Sequence, residues 1–314
     1  MRTVDKRIRD RRRKKLKRSL FIASFITIPI LHFLFFTFYV NFDTIFLSFE
    51  KFDTSLGAYK WVGLQNYVDF FESFSSPGSV LGKAIRNSIL FFLVNDFIIL
   101  PLAFISSFFM YKKILLSNVF RVLFFLPSII SIVILTMLYS FMFDSSIGIV
   151  DSLLKLIGLE DKIPALGWFG DSKSALFVVL LYCVWAGIGS NIVLISGAMS
   201  RIPNELIEAG RLDGMNLWQE MIYITLPLTG SLLATLMMLG VPVIFTIFLQ
   251  PMLITNGGPD GETYTIAMFI INSIRSNNNL TLGATVGVLC ALIGTPLVML
   301  LRKLFEKLFP AYEY

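Results

Sequence analysis

Ser19 to Val40 reads SLFIASFITIPILHFLFFTFYV, a run with no Asp, Glu, Lys or Arg. A bilayer hydrocarbon core of about 30 Å is crossed by roughly 20 apolar residues at about 1.5 Å rise each, so the run reads as a membrane-spanning helix. Just before it, MRTVDKRIRDRRRKKLKRS holds 11 of the chain's 27 Lys and Arg residues. A basic flank and an apolar run also describe a secretory signal peptide. The run is long for one, however, and VNFDTIF after it offers no small-residue cleavage site, so an uncleaved first helix is expected.

The rest of the chain calls for the same solvent. Of its 314 residues 55% are hydrophobic and 14% aromatic, with 31 Phe and a mean hydropathy of +0.74, more apolar surface than a soluble domain of this size buries. Five further charge-poor runs lie near Ser88 to Met110, Val119 to Phe143, Ala175 to Met199, Leu226 to Ile254 and Leu282 to Leu301. The expected fold is an all-α integral membrane protein with six transmembrane helices over 19–301, a basic cytoplasmic tail at 1–18 and a C-terminal tail at 302–314. Lys and Arg collect on the cytoplasmic side of such proteins, which puts the N-terminus there. An even number of spans returns the C-terminus, with Arg302, Lys303 and Lys307, to that side, and brings Lys112, Lys113 and Arg121 with it. Topology and attraction to anionic headgroups, about 1 kcal/mol per basic residue, account for the tail without a nucleic-acid partner.

The inventory argues against covalent chemistry. Cys183 and Cys290 fall in predicted helices, with no metal or disulfide framework. His32 sits midway along the first span with no carboxylate on its own helix, and reads as a neutral, hydrogen-bonded side chain rather than a proton relay. No nucleophile with a base, carboxylate pair or ligand spacing is present, so neither a catalytic residue nor a metal or cofactor is expected in this chain. ITNGGPDGET lacks the Lys-Ser/Thr of a phosphate loop; it reads as a turn at the exit of the fifth helix.

One stretch breaks the apolar pattern. IPNELIEAGRLDGMNLWQEMIYITLPL, Ile202 to Leu228, carries Glu205, Glu208, Arg211, Asp213 and Glu220 between spans four and five, where the topology faces the cytoplasm. Its pattern predicts two short helices with acids outward. The first would be capped by Asn204, with Leu206 and Ala209 on a stripe. Gly214 breaks it. Asn216 and Gln219 form a capping-box pair for the second, with Leu217, Met221 and Ile224 on its apolar side, and Pro227 ends the unit. By itself this describes either a solvated loop or a docking knob.

The spacing Glu208-Ala209-Gly210, three residues, Gly214, nine residues, Ile224, one residue, Leu226-Pro227 resembles the "EAA…G…I.LP" loop of permease subunits of bacterial binding-protein-dependent ABC importers. Gly210 stands where that family usually has Ala. WVGLQNYVDFF (Trp61 to Phe71), FRVLFFLPSIIS (Phe120 to Ser131), IGIVDSLLKLIGL (Ile147 to Leu159), VWAGIGSNIVLISGAMSRIPNELIEAG (Val184 to Gly210) and LITNGGPDGET (Leu253 to Thr263) narrow the resemblance to the carbohydrate permeases, in the expected order. Only the tail before Arg18 lies outside it. The resemblance implies a bacterial cytoplasmic membrane, a second permease subunit in a heterodimer, an ATPase dimer carrying ATP and Mg, and an extracytoplasmic binding protein delivering a carbohydrate. The coupling loop, 201–227, would dock on an ATPase subunit, with Glu208 and Asp213 as acceptors and Gly214 permitting the bend.

Polar residues at membrane depth supply the substrate-path candidates. Asn95 and Asp96 lie mid-way along the second span, followed by Pro101; a lone Asp there costs about 2.5 to 3.5 kcal/mol, so pairing with another helix or with the partner permease is favoured over a pore-lining role. Trp185, Gly187, Gly189, Ser190 and Asn191 in the fourth span offer the aromatic face, amide and hydroxyl that hold sugars. Close helix packing explains the glycines, and for Trp185 and Asn191 both readings stand. In the fifth span the family commonly carries Asn or Asp before the GGP turn, whereas VIFTIFLQPM leaves Thr246 and Gln250. Gly283, Gly287 and Gly294 form a small-residue seam in the sixth. The segments Glu50 to Gly82 and Asp144 to Ser174 should form a roof, with Ile149, Leu153 and Leu156 on an interfacial stripe. A secondary transporter or channel, the alternative, would call for inverted repeats and a charged coupling path, neither of which is seen. A membrane scaffold, a third class, would have no use for the loop spacing.

Overall fold

The computed structural model describes residues 2–76, 78–276 and 279–308, with side chains described from residue 14 to residue 307. Among the described residues seventeen α-helices, some joined end to end through π-helical turns, make up most of the chain. α1 (Arg2–His32) runs through the π-helical turn Phe33–Tyr39 into α2 (Val40–Ser48), and α4 (Val80–Val94) through Asn95–Ile99 into α5 (Leu100–Tyr111). Among the described residues four continuous helices are long and apolar enough to cross a membrane: Lys14–Ser48, Val80–Tyr111, Ala175–Met199 (α9) and Leu280–Lys307, within α17 (Leu280–Leu308). Two bent pairs bring the number to as many as six, each counted as one span.

Those pairs are the third and fifth runs of the sequence. α6 (Ser117–Ile129) and α7 (Ile132–Met142) meet at 109°. Ile130 is extended there at φ −77°, ψ 141°, three residues after Pro127. The fifth run starts earlier than expected, with α11 (Leu217–Glu220) passing through the π-helical turn Met221–Thr225 into α12 (Leu226–Leu228). It bends by 70° at Thr229 into α13 (Gly230–Gly240) and α14 (Val243–Thr246). Pro227 lies in the short last segment, one residue before that helix ends at Leu228 and the chain bends, so the unit closes beside it as expected. Gln250 falls on a separate helix, α15 (Leu249–Thr255), beyond an extended Ile247.

The all-α expectation is corrected at one place. Glu50–Asp53 (β1) and Ala58–Trp61 (β2) pair antiparallel, with Lys51 opposite Lys60 and Phe52 opposite Tyr59. Buried Asn66, on α3 (Gln65–Ser75), donates to the carbonyls of Ser48 and Glu50 at 2.9 and 2.8 Å and ties the hairpin down. α8 (Ile149–Leu156) leaves Ile149, Leu153 and Leu156 exposed, a stripe at helical spacing, while Asp151 is buried against Trp168. The expected turn is present: Asn256, Gly257 and Gly258 all take positive φ before the short turn Pro259–Gly261, and α16 (Ile266–Arg275) follows.

The main core joins α4 and α5 to α9, α13 and α17. Gly283 receives Ile274 and Gly294 receives Phe245, so two of the three seam glycines pack inside this chain; nothing lies against Gly287. The first span differs from the rest. Every residue from Lys14 to Asp43 is exposed, the His32 and Phe36 rings lie tilted at 4.8 Å, and α2 meets the body on α17 and β1.

Candidate functional site

Two constructions stand out, one between the apolar helices and one at the α9–α13 connection. In the connection, α10 (Asn204–Leu212) begins after Pro203, whose fixed φ and extended ψ occupy the cap position. Asn204 is thus the first helical residue and caps nothing, contrary to its sequence signal. Ile207 and Gly210 form the buried side of α10, and Leu206 and Ala209 face out. Gly214 takes φ +81° at the break, a left-handed value that a side chain would strain. Asn216 and Gln219 then form the expected capping box, each side chain accepting from the other's backbone N–H at 2.9 and 2.8 Å.

The fold of this element brings Ala209, Gly210, Asp213, Ile224 and Pro227 around one hollow of about 490 Å³, with Leu206 and Tyr223 on its rim. Glu208 and Gly214 lie exposed outside it, and Leu226 packs toward the main core. A Cβ at Gly210 would meet the flexible side-chain ends of Met215 and Ile224, so an alanine there needs only those ends to shift. Glu205, Glu208 and Asp213 point outward as expected. Glu220 does not; it is 3% exposed and paired to Lys112, with Arg211 Nε 3.9 Å from its second oxygen. Helical periodicity hid this pairing, because Lys112 is 108 residues away.

Within the helices a cavity of about 310 Å³ is lined by Asn95 and Gln250 from the expected set. Phe91, Ser128, Tyr182 and Gly187 join them. Neither Ser128 nor Tyr182 is among the residues expected from the sequence. Ser128 lies just before the break between α6 and α7, with its hydroxyl donating to Phe125 O of its own helix at 2.7 Å. The other candidates lie elsewhere. Trp185 stacks on Tyr139 at 6.0 Å, Asn191 donates to Gly187 O of its own helix at 3.1 Å, Ser190 is exposed, and Thr246 donates to Pro242 O at 2.9 Å. Asp96 is 1% exposed and turns away from the cavity, accepting from Asn95 Nδ2 at 2.9 Å; its second oxygen has no protein partner. A Cβ at Gly240 would run into that carboxylate, so α13 presses on Asp96 because it offers a glycine. The favoured pairing role thus falls to Asn95 and a glycine contact.

At the other end of α4, Glu262 forms ion pairs with Lys83 at 2.8 Å and Arg86 at 2.9 Å. The hydrogen bond from Lys83, and then that from Arg86, hold its carboxyl below the usual glutamate range against the opposing effect of partial burial. Fully buried Asn87 donates to the carbonyls of Glu262 and Tyr264 at 2.7 and 2.9 Å.

Residues 99–309 match the family of binding-protein-dependent transport system inner membrane components. Among curated proteins, the chain is 27% identical over 281 residues to the probable ABC transporter permease protein YurN of Bacillus subtilis, covering 89% of this chain and 94% of that one. It is 26% identical to the diacetylchitobiose uptake system permease protein NgcF of Streptomyces coelicolor, covering 94% and 86%. A bacterial alginate ABC transporter, solved in complex with an alginate pentasaccharide-bound periplasmic protein, has a chain of the same fold. The TM-score is 0.80 at 18% identity, over 96% of this chain and 99% of that one.

Proposed function

We propose that this chain, which belongs to the family of binding-protein-dependent transport system inner membrane components, is a pore-forming permease subunit of an ATP-driven carbohydrate importer. It would pair with a second permease subunit, dock on an ATPase dimer and receive its solute from an extracytoplasmic binding protein. In this reading the two bent pairs each count as a span, six in all over 19–301, with both termini on the cytoplasmic side of a bacterial cytoplasmic membrane. ATP and Mg belong to the partner ATPase, and this subunit catalyses nothing itself.

The observation that carries the reading is the hollow of α10 and α11. Five residues of the loop signature surround one concave, partly apolar surface, with exposed Glu208 at its side. Such a surface suits a partner's side chains, and its attachment to α13 lets a docked ATPase move the apolar helices. The cavity supports the substrate class: amide groups of Asn95 and Gln250, the Ser128 hydroxyl and the rings of Phe91 and Tyr182 are the mixture that binds sugar hydroxyls and faces. Relatives that import diacetylchitobiose and arabino-oligosaccharides point the same way.

The test is a mild-detergent purification of the tagged chain from its own membranes, with mass spectrometry of its companions, beside Gly214→Pro. The expected result is a second permease and an ATPase with the native chain, and loss of the ATPase with the variant. A native chain that arrives alone overturns the reading and favours a secondary transporter.

A further inference from the structure

The α10–α11 element is covalently joined to α9 and α13, yet its firmest side-chain attachment is to a third helix. Glu220, on α11, lies buried against Lys112 at the end of α5, their side chains 4% and 10% exposed. Arg211 of α10 reaches the same carboxylate from its exposed side at 3.9 Å. Lys112 also sits over the rings of Phe108 and Tyr111, 5.5 and 5.6 Å from their centroids. One helical turn back, Phe109 meets Trp218 edge-on at 5.8 Å. An ion pair and an aromatic pair therefore clamp α11 to α5 at adjacent turns. Above the clamp, the α4–α5 helix carries Phe91, Asn95 and Ile99 into the cavity wall.

Resting on the importer reading, we infer that Lys112 and Glu220 are positioning residues that pass the displacement of the coupling loop to the second span, and through it to the cavity wall. A buried charge pair suits this task. Separating its members leaves two desolvated charges, so α11 and α5 move together or not at all.

The test uses the whole transporter in proteoliposomes, in a chain with Cys183 and Cys290 replaced by alanine and Ile99→Cys as reporter. Labelling by a membrane-impermeant maleimide is compared with and without trapping by ATP and vanadate. The native pair is expected to change labelling about fivefold or more, the lower end of ordinary coupling between sites. Lys112→Met/Glu220→Gln removes the tie together with both buried charges, so the chain assembles and still carries its ATPase, while the trapping response is lost. Lys112→Arg keeps the charge and the response. A double variant that responds like the native chain overturns the inference, as does a Lys112→Arg variant that responds no better than the double. If no ATPase accompanies the native chain, the importer reading fails instead, and the two failures are told apart by the purification alone.

Discussion

The α4–α5 helix is held at both ends by ionic clusters, and the two are built differently. At one end Glu262 sits between Lys83 and Arg86 with side-chain exposures of 21%, 22% and 59%. Beside them, Asn87 binds two carbonyls and Ser88 accepts from the Ile266 backbone N–H at 2.9 Å. At the other end Glu220 is buried and the Lys112 side chain is nearly so, and among the described residues no backbone N–H donates to the Glu220 carboxylate. In the first cluster the charges decorate a neutral hydrogen-bonded latch; in the second the charges are the latch. Water and salt screen the first far more than the second.

The largest effect should follow from breaking the buried pair on one side. Lys112→Met leaves Glu220 desolvated with only a distant Arg211, at a cost of about 3 kcal/mol, and adding Glu220→Gln should recover most of it. Denaturation of the two variants in mixed micelles reads this directly; equal stabilities would show that the pair is not desolvated. Next comes Asn87→Ala, which orphans two carbonyls and should cost about 1–3 kcal/mol in the same assay, with little dependence on salt. The smallest is Glu262→Gln, worth about 0–1 kcal/mol at low ionic strength and less in high salt.

Acid sharpens the contrast. Because Glu262 titrates below its ordinary value when folded, its stabilisation is complete above that value and is lost as pH falls through it toward the lowered one. A melting profile from pH 6 downward should therefore differ between native chain and Glu262→Gln at the top of that range and converge at the bottom. A difference that grew on acidification would mean the carboxylate is not held by its cations.

Much of this molecule was legible from hydropathy and punctuation. The apolar runs, the glycine break at Gly214, the Asn216–Gln219 box and the turn at Gly257 all follow from local rules, and each is present. What escaped depends on contacts between distant segments. Leu206 and Ala209 share a stripe as their spacing predicts, but that Ile207 and Gly210 are the buried side of α10 depends on packing with residues beyond it. For Trp185 spacing left sugar contact and packing equally open, and only the fold shows its ring beside Tyr139 and Tyr182. Ser128 reads as an ordinary residue until the chain bends beside it.

That bend carries a consequence for biogenesis. α6 and α7 have 13 and 11 residues, about 20 and 17 Å of helix by the α-helical rise, so neither alone crosses a bilayer of about 30 Å. An insertion machinery reading hydropathy would meet one continuous apolar segment. In the folded chain α9 lies against the first arm of the bend, where Gly189 admits the backbone of Phe124 and any larger side chain would run into that carbonyl. The third segment is thus a rod by hydropathy and an elbow in the fold, with the fourth packed against its first arm.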